Sequence, residues 1–362
     1  MALLKSVDRY GQGIVLTFSE PIEVISTVPT LSNVVKHVVI HRVEHDFDPE
    51  NLIEYYRATL RSLGLEEAVV LLTAVDLEKH SVVLELREPY ETVLFLSIGF
   101  EPPTCIYTDR VFDSMKVSTI NIVVVVNAPL SFNAMVDLLR TVAEAKSMAV
   151  ADLGLRCSSR CPGTVSDAIV VGKPRRLGNS ILFAGMSTKL GNAVARAIHR
   201  ALVKHGFETM DLDDVLKNIV GYGAKELIDI ALEIYRRAPI PGLDEEEVRR
   251  FLEEELRNAL RDPNVWSFLI AARELDLRGV AGTIPNLSRE EFARDSPRIV
   301  SDEILGLALA LYLANAKAIF TMYWIERMKN ELGIDLPMFE DDVVTGLLAT
   351  MLTRFYDRYA SR

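Results

Sequence analysis

The spacing of apolar residues changes once along this chain. Over residues 212–359 every apolar segment has the period of a helix, and none alternates as a half-buried strand does. Residues 10–205 instead interleave short β-branched and aliphatic runs with segments of helical spacing. A chain of 362 residues is also longer than one compact core usually supports. The sequence therefore predicts two domains, an α/β or α+β domain over residues 1–207 and an all-α helical bundle over residues 208–362.

The individual elements follow from the same patterns. Strands are predicted at residues 13–18, 22–26, 69–73, 82–86, 93–98, 122–126 and 168–171. Helices of the first domain are predicted at residues 49–63, behind Asp48 as a cap, and at 134–153 and 192–205. Helices of the second domain are predicted at residues 211–219, 223–237, 244–260, 263–276, 288–294, 301–315, 317–332 and 340–358.

Residues 304–325 are apolar over a length that could span a bilayer. Asp302 and Glu303 precede this segment, and Lys317 lies in its middle. Because a charged side chain at the centre of a bilayer is costly, we expect a buried helix of the bundle rather than a membrane segment.

Charge and cysteine usage restrict the class of protein. A net charge of −11 disfavours nucleic acid and anionic membranes as partners, because either would need a basic surface. Asp8 and Arg9 interrupt the N-terminal residues after two leucines, so the sequence predicts no signal peptide and a cytoplasmic enzyme. Cys105, Cys157 and Cys161 are too few for the disulfide framework of a secreted domain. We expect Cys157 and Cys161 to be plain thiols or a local disulfide, since no second Cys or His pair nearby completes a metal site.

Several segments of the first domain occur together in an order typical of one enzyme family. They are ISTVP at 25–29, IHRV at 40–43, VVLLTAVDL at 69–77, STINIVVVVNAPLS at 118–131, TVAEAKSMAVADL at 141–153, GTVSDAIVVGKP at 163–174 and AGMSTKLG at 184–191. Over roughly residues 1–205 the chain resembles the adenosylcobinamide amidohydrolase family. The resemblance implies an enzyme that cleaves the aminopropanol arm from adenosylcobinamide to give adenosylcobyric acid.

An amidohydrolase without an obvious metal cluster needs a nucleophile or an activated water, a base, and donors for the oxyanion. Asp167 lies at a turn between Gly163 and a strand and is the preferred acid or base. Thr164 is a candidate nucleophile or oxyanion donor, with the alternative that it and Ser166 simply cap the turn. Asn121, at the entrance of a buried strand, is a candidate to hold the substrate amide.

Three further polar residues are candidates for the same site. Glu144 and Lys146 interrupt the apolar residues of a predicted helix, and at most one is expected to point into the site because they lie two residues apart. His37, His41 and His45 recur every fourth residue and would share one face of a strand or a helix. Only His41 lies in a family-like segment, so the other two are expected to be surface residues.

Two predicted helices of the second domain begin with paired carboxylates and then become almost wholly apolar. The pairs are Asp302 with Glu303 and Asp341 with Asp342. Each is followed about one turn later by a glycine, Gly306 or Gly346, which would let the two helices approach. Acidic residues in a first turn also favour the helix dipole, so capping is the alternative for each pair. Four carboxylates gathered at one end of a bundle repel one another unless cations lie between them, and the pattern therefore predicts a Mg²⁺ site for phosphate hydrolysis.

The same pattern resembles the phosphatidylglycerophosphatase A family and its soluble relatives, including archaeal α-ribazole phosphate phosphatases, over roughly residues 211–362. The resemblance implies that both pairs bind Mg²⁺ and that Glu254 takes the place of a glutamate on an earlier helix. Membrane-bound members carry an arginine, an aspartate and a lysine between the two pairs, where this chain reads FTMYWIERMK at 320–329. Glu326 and Arg327 are the residues expected to stand in for the phosphate-binding groups.

The two resemblances predict a bifunctional enzyme of corrinoid salvage, whose second domain removes phosphate from α-ribazole 5′-phosphate. Both products would enter assembly of the coenzyme's lower loop. Two alternatives stay open for the helical half, a lipid phosphatase at the membrane or a helical binding or oligomerisation module. The expected partners are the small-molecule corrinoid and α-ribazole phosphate, with no nucleic acid and no membrane, and a homo-oligomer stays open.

Overall fold

The structure is a computed structural model that describes residues 2–47, 50–107 and 119–359. Its contacts divide the chain into two compact units at Thr209 and Met210. The first unit is a mixed α/β sheet domain and the second is helical, which is consistent with the two predicted domains.

The described part of the first unit alternates strands with three long helices. The strands are β1 (Leu4–Tyr10), β2 (Gly13–Ser26), β3 (Val34–Arg42), β4 (Ala68–Thr73), β5 (Ser81–Leu86), β6 (Thr92–Ile98), β7 (Pro103–Thr104), β8 (Ile120–Val126), β9 (Gly163–Thr164) and β10 (Ala168–Pro174). The helices are α1 (Leu52–Ser62), α2 (Phe132–Asp152) and α3 (Lys189–Thr209).

The sequence patterns do not predict β1 or β3. β1 is mostly exposed and polar, and Lys36 and His37 interrupt the apolar run of β3. The two strands predicted at 13–18 and 22–26 are a single strand, β2, whose pairing with β3 shifts register between Thr17 and Ile22. This irregularity accommodates Pro21, which cannot donate to the ladder. α1 begins behind Asn51, whose side chain accepts a hydrogen bond from the Glu54 backbone N–H, and the predicted cap Asp48 lies outside the described residues.

The main sheet has the strand order β4-β3-β2-β10-β8-β6-β5, and β1 pairs with β2. β3 runs parallel to β4, and β8 runs parallel to β10, whereas the other neighbours are antiparallel. Each parallel pair is joined through a helix, α1 or α2, as parallel connections require. β7 and β9 form a separate two-stranded sheet.

The main sheet curls around one of its faces. Residues of β2, β3 and β4 share a single apolar core with residues of β6, β8 and β10. The Asn121 side-chain amide of β8 donates to the Leu72 carbonyl of β4 over 2.9 Å, although β4 and β8 are not neighbours in the sheet. The curl therefore brings the carboxyl end of β4 to the amino end of β8.

The second unit is a bundle around one buried helix. Its described helices are α4 (Leu212–Val220), α5 (Ala224–Tyr235), α6 (Glu245–Ala259), α7 (Pro263–Ala281), α8 (Arg289–Ala293), α9 (Ser301–Leu313), α10 (Lys317–Glu326), α11 (Lys329–Leu332) and α12 (Met338–Tyr359). Every side chain over residues 338–353 of α12 is buried, and α5, α6, α7, α9 and α10 pack around it. A helix buried on all sides needs apolar or internally satisfied residues all round.

Glycines bring α9 and α12 into contact, as the sequence predicts. A Cβ added at Gly346 would lie 2.5 Å from the Gly306 carbonyl oxygen, and one added at Gly306 would lie 2.4 Å from the Asp342 carbonyl oxygen. Backbone atoms cannot yield as a flexible side chain does, so only glycine permits this spacing. The first turns of both helices are thereby held close together.

The apolar segment at 304–325 is divided between α9 and α10, in agreement with the separate helices predicted at 301–315 and 317–332. The second of these helices ends earlier than predicted, at Glu326, and is followed by the short α11. The expectation of a buried helix is wrong for its outer face, where Ile304, Phe320 and Tyr323 are more than half exposed. Lys317 is also exposed and pairs with Asp357. Among the described helices, none has the length and apolarity needed to cross a membrane.

Candidate functional site

Three of the six residues predicted for the amidase meet at the amino ends of β8 and β10. The turn before β10 places the Asp167 carboxylate against Thr164, and α2 brings Lys146 to it from the side. Lys146 Nζ donates to Asp167 Oδ2, and Thr164 Oγ1 donates to Asp167 Oδ1 over 2.6 Å. The backbone N–H groups of Thr164 and Ile120 donate to the same carboxylate over 3.1 Å each. Four hydrogen bonds therefore fix one hydroxyl and one ammonium against Asp167.

Gly163 is required for this cluster to close. A Cβ at this position would lie 2.0 Å from the Asp167 carboxylate and 2.3 Å from Lys146 Nζ, so a side chain would separate the ion pair. Cys161 lies beside it and donates from Sγ to the Gly163 carbonyl over 3.0 Å. Burial raises the pKa of the Cys161 thiol, which keeps it neutral and disfavours a thiolate nucleophile.

The prediction that Cys157 is a free thiol or part of a local disulfide is wrong. Cys157 forms a disulfide with Cys105, 52 residues away in sequence, and Cys161 is the free and buried thiol. The fold brings Cys105 to Cys157, and the spacing of Cys157 and Cys161 gives no indication of that partner.

Asn121 and Glu144 lie outside the Asp167 cluster. Asn121 is fully buried, and its amide is used inside the core, between the Leu72 carbonyl and the Thr119 hydroxyl. Glu144 accepts a hydrogen bond from Arg140 over 2.9 Å at the helix surface. Of the two α2 candidates, Lys146 alone reaches Asp167.

His41 also lies apart from the cluster, at the carboxyl end of β3. Its Nδ1 is 2.8 Å from the Tyr10 hydroxyl and its Nε2 is 3.0 Å from the Tyr55 hydroxyl. Burial lowers the pKa of His41, so the ring is held neutral between two phenols. Tyr55 borders a polar cavity of about 620 Å³. His45 is exposed as predicted, whereas His37 is half-buried and bonds to Thr17.

In the second unit, three of the predicted metal ligands converge. Carboxylate oxygens of Asp302, Glu303 and Asp342 all lie within 4.8 Å of one another. Asp302 and Glu303 are in the first turn of α9, and Asp342 lies near the start of α12. The glycine contact between these helices sets the separation, so the cluster is a consequence of helix packing.

Unpartnered oxygens at this end of the bundle fit a bound cation. Asp302 Oδ1, Asp341 Oδ1, Glu326 Oε1 and Thr345 Oγ1 are buried without a hydrogen-bond partner among the described residues. A buried carboxylate oxygen left without a donor is costly, and native structures rarely leave several together. Mg²⁺ takes oxygen ligands of this kind, so the donor set fits a divalent cation.

Burial and mutual repulsion raise the pKa values of these carboxyls. The hydrogen bond with Asp302, followed by burial, raises the pKa of Glu303 to about 7. Burial, reinforced by the charges of Glu326 and Asp302, raises the pKa of Asp342 to about 8. Without a cation the cluster would hold protons in its place, because three adjacent carboxylates, of which Asp302 and Asp342 are buried, cannot all ionise.

Asp341 has a different environment from Asp342. Its Oδ2 accepts a hydrogen bond from Lys329 Nζ, which is also 3.0 Å from Glu326 Oε2. Burial nevertheless raises the pKa of Asp341. One cavity of about 360 Å³ is bordered by Glu303, Glu326, Lys329 and Asp342. Of the described residues that line this cavity, Lys329 is the one with a basic side chain.

Asp276 fixes the start of α12 and is not predicted by the sequence. It is buried on α7 and accepts hydrogen bonds from the backbone N–H groups of Phe339 and Glu340 over 2.9 and 2.8 Å. Burial raises the pKa of Asp276 to about 7. This carboxyl satisfies two donors that the first turn of a helix leaves free, and so positions the Asp341–Asp342 turn.

Glu254 does not join the cluster. It is exposed on α6, where its neighbour Glu255 pairs with Arg354 over 2.6 Å. Of the two residues expected to stand in for the phosphate-binding groups, Glu326 borders the cavity. The guanidinium of the other, Arg327, lies over the Tyr323 ring. Lys329, the last residue of the FTMYWIERMK segment, also borders the cavity, and the sequence pattern does not single it out.

Comparisons with known proteins bear on the first unit. Residues 3–211, more than half of the chain, match the family described as adenosylcobinamide amidohydrolase. An adenosylcobinamide amidohydrolase of Methanosarcina mazei is 30% identical over 183 residues, which cover 48% of this chain and 84% of that protein. An uncharacterized protein of Methanocaldococcus jannaschii is 34% identical over 118 residues, covering 32% of this chain and 90% of its own length. A second one is 25% identical over 217 residues, covering 53% and 84%.

Solved structures with some likeness include the low temperature requirement C protein of Listeria monocytogenes, at 20% identity and a TM-score of 0.33 over 39% of this chain and 89% of that one. A Bacillus stearothermophilus protein of unknown function has 17% identity and a TM-score of 0.34 over 42% and 99%. The family match and the Methanosarcina relative agree with the segments found in the sequence. This chain belongs to the adenosylcobinamide amidohydrolase family.

Proposed function

We propose that the chain is a bifunctional hydrolase, in which the first unit cleaves the amide of adenosylcobinamide and the second removes a phosphate from α-ribazole 5′-phosphate. The observation that carries the second activity is the convergence of Asp302, Glu303 and Asp342 beside buried oxygens that have no hydrogen-bond partner among the described residues. Family membership supports the first activity.

For the amide, Thr164 is the proposed nucleophile and Asp167 the base. The Thr164 oxygen forms a bond to the amide carbon as its proton passes to Asp167 over the 2.6 Å hydrogen bond. The carbon–nitrogen bond then breaks, and the aminopropanol nitrogen leaves with that proton. Water hydrolyses the resulting ester, which releases adenosylcobyric acid and restores the hydroxyl. Lys146 holds the Asp167 carboxylate in place through its ion pair.

For the phosphate, Asp302, Glu303 and Asp342 are the proposed ligands of Mg²⁺. The metal would supply positive charge for the phosphate oxygens and lower the pKa of a bound water. Lys329 supplies a second positive charge at the same cavity. Asp276 is a positioning residue, because it holds the turn of α12 that carries Asp342. The resemblance of this half to α-ribazole phosphate phosphatases supports the choice of substrate.

One observation favours a second candidate, a lipid phosphatase. Ile304, Tyr312, Phe320, Tyr323 and Trp324 expose apolar surface on α9 and α10. Exposed apolar surface of this kind is common where a protein contacts a membrane or another protein. A lipid phosphatase would hydrolyse phosphatidylglycerophosphate in vesicles in preference to α-ribazole 5′-phosphate.

The test is phosphate release by the full chain with Mg²⁺, from α-ribazole 5′-phosphate and from phosphatidylglycerophosphate vesicles. Glu303→Gln removes a clustered carboxylate, and Glu254→Gln is its matched control because Glu254 is an exposed glutamate of the same unit. We expect chelation and Glu303→Gln to abolish release from α-ribazole 5′-phosphate and Glu254→Gln to leave it intact. Preference for the lipid would support the second candidate, and no release from either substrate would contradict both.

A further inference from the structure

The cavity at the carboxylate cluster has a charged half and an apolar half. The charged half is formed by Asp295, Glu303, Glu326, Lys329 and Asp342, and the apolar half by Leu307, Ile319, Met322 and Tyr323. Its volume of about 360 Å³ is within the range of small-molecule sites. A free phosphate would need only the charged half, so the apolar half is available to the organic part of a phosphomonoester.

The apolar half is one stripe of α10 with one residue of α9. Ile319, Met322 and Tyr323 are spaced to share a helix face, and Met322 is buried beside the contact between α9 and α12. Tyr323 is 63% exposed although it borders the cavity. The Arg327 guanidinium lies 5.8 Å from the centre of the Tyr323 ring and helps to hold it.

We propose that Tyr323, with Ile319 and Met322, binds the aromatic base of a nucleoside monophosphate whose phosphate lies at the charged half of the cavity. This inference rests on the proposed phosphatase function. A planar base stacks on a tyrosine ring whatever its exact hydrogen-bonding groups, and it also covers the aliphatic residues beside the ring. Tyr323 is then a specificity residue that acts on substrate affinity and leaves the chemistry at the phosphate to the carboxylates.

The experiment uses the full chain with Mg²⁺ and compares α-ribazole 5′-phosphate with ribose 5-phosphate, which lacks the base. The variants are Tyr323→Ala, Tyr323→Phe and the control Phe320→Ala, an exposed aromatic of the same helix that does not border the cavity. We expect Tyr323→Ala to raise KM for α-ribazole 5′-phosphate about tenfold, or about 1.4 kcal/mol, with kcat nearly unchanged. Tyr323→Phe and Phe320→Ala should behave as the wild type, and ribose 5-phosphate kinetics should not change in any variant.

A second measurement does not depend on turnover. Calorimetric titration of α-ribazole, which lacks the phosphate, should show binding to the wild type and about tenfold weaker binding to Tyr323→Ala. Equal effects of Tyr323→Ala on both phosphate substrates, or no effect on either, would overturn the assignment while leaving the phosphatase in place. If the wild type hydrolyses no phosphomonoester and does not bind α-ribazole, the proposed function and this inference both fail.

Discussion

Asp342→Asn is expected to stabilise the metal-free protein, and to do so more strongly as the pH rises. Burial, reinforced by neighbouring carboxylates, raises the pKa of Asp342 from 3.8 to about 8. In the unfolded chain this carboxyl titrates near its ordinary value, so between the two pKa values only the unfolded chain has released the proton. The stability contributed by protonated Asp342 is therefore complete below the unfolded pKa and is lost as the pH rises toward the folded pKa.

The magnitude follows from one proton. A difference of one bound proton between the folded and unfolded states changes the free energy of unfolding by about 1.4 kcal/mol per pH unit. Raising the pH from about 5 to about 7 should therefore cost the wild type roughly 3 kcal/mol through this group. The Asp342→Asn protein carries no titrating group at this position and should not show that loss.

The assay is denaturant unfolding of both proteins with chelator at the two pH values. Lowered pKa values of His41 and His205 give a pH dependence of the opposite sign, but they are common to both proteins and cancel in the difference. Glu254→Gln controls for removing an exposed carboxyl from the same unit. In saturating Mg²⁺ the wild type should instead be the more stable of the two proteins, because it binds Mg²⁺ more tightly than Asp342→Asn does. If the free energies of unfolding of wild type and Asp342→Asn differ by the same amount at both pH values, the raised pKa of Asp342 is refuted.

Two further predictions concern the amidase cluster and the helix contact. Thr164→Val keeps the shape of the side chain but removes the hydroxyl, so turnover of adenosylcobinamide should fall by about a thousandfold or more, while Thr164→Ser keeps measurable turnover. Normal turnover by Thr164→Val would leave Thr164 as a turn cap. Gly346→Ala places a Cβ against the Gly306 carbonyl, so it should cost about 1–3 kcal/mol in unfolding experiments and weaken Mg²⁺ binding in calorimetry. Unchanged Mg²⁺ affinity would show that the spacing of α9 and α12 does not set the cluster.

Periodicity predicts most of the elements, because α4, α5 and α6 each have one strongly apolar face and α12 is buried on all sides over residues 338–353. It missed β3, whose polar residues Lys36 and His37 interrupt the pattern. It also suggested that residues 304–325 were buried, since apolar composition does not distinguish a core helix from one with an exposed apolar face.

Sequence patterns likewise identify some of the candidate site residues and mislead for others. Lys146, Thr164 and Asp167 stand in unusual local patterns, a lysine among apolar helix residues and a glycine-rich turn, and the fold brings them together. Asn121 and His41 stand in equally unusual patterns, yet their side chains complete hydrogen bonds elsewhere. A local pattern shows that a polar residue has a structural reason to be there, but its partners are set by the curl of the sheet.

Helix packing determines whether carboxylates at the start of a helix only cap that helix or are also candidates to bind a metal ion. Asp302 and Glu303 occupy a first turn, where a carboxylate is ordinarily stabilised by the helix dipole and solvent. Here Gly306 and Gly346 allow α12 to pack closely against that turn, so that Asp302 is buried and Asp342 lies next to it. Asp276 holds the same turn of α12 by two backbone hydrogen bonds, so the bundle cannot relieve the repulsion by letting that end fray. Carboxylates at these two helix starts therefore repel one another, and a bound cation would relieve that repulsion, which is the physical reason for proposing a metal site here rather than a pair of caps.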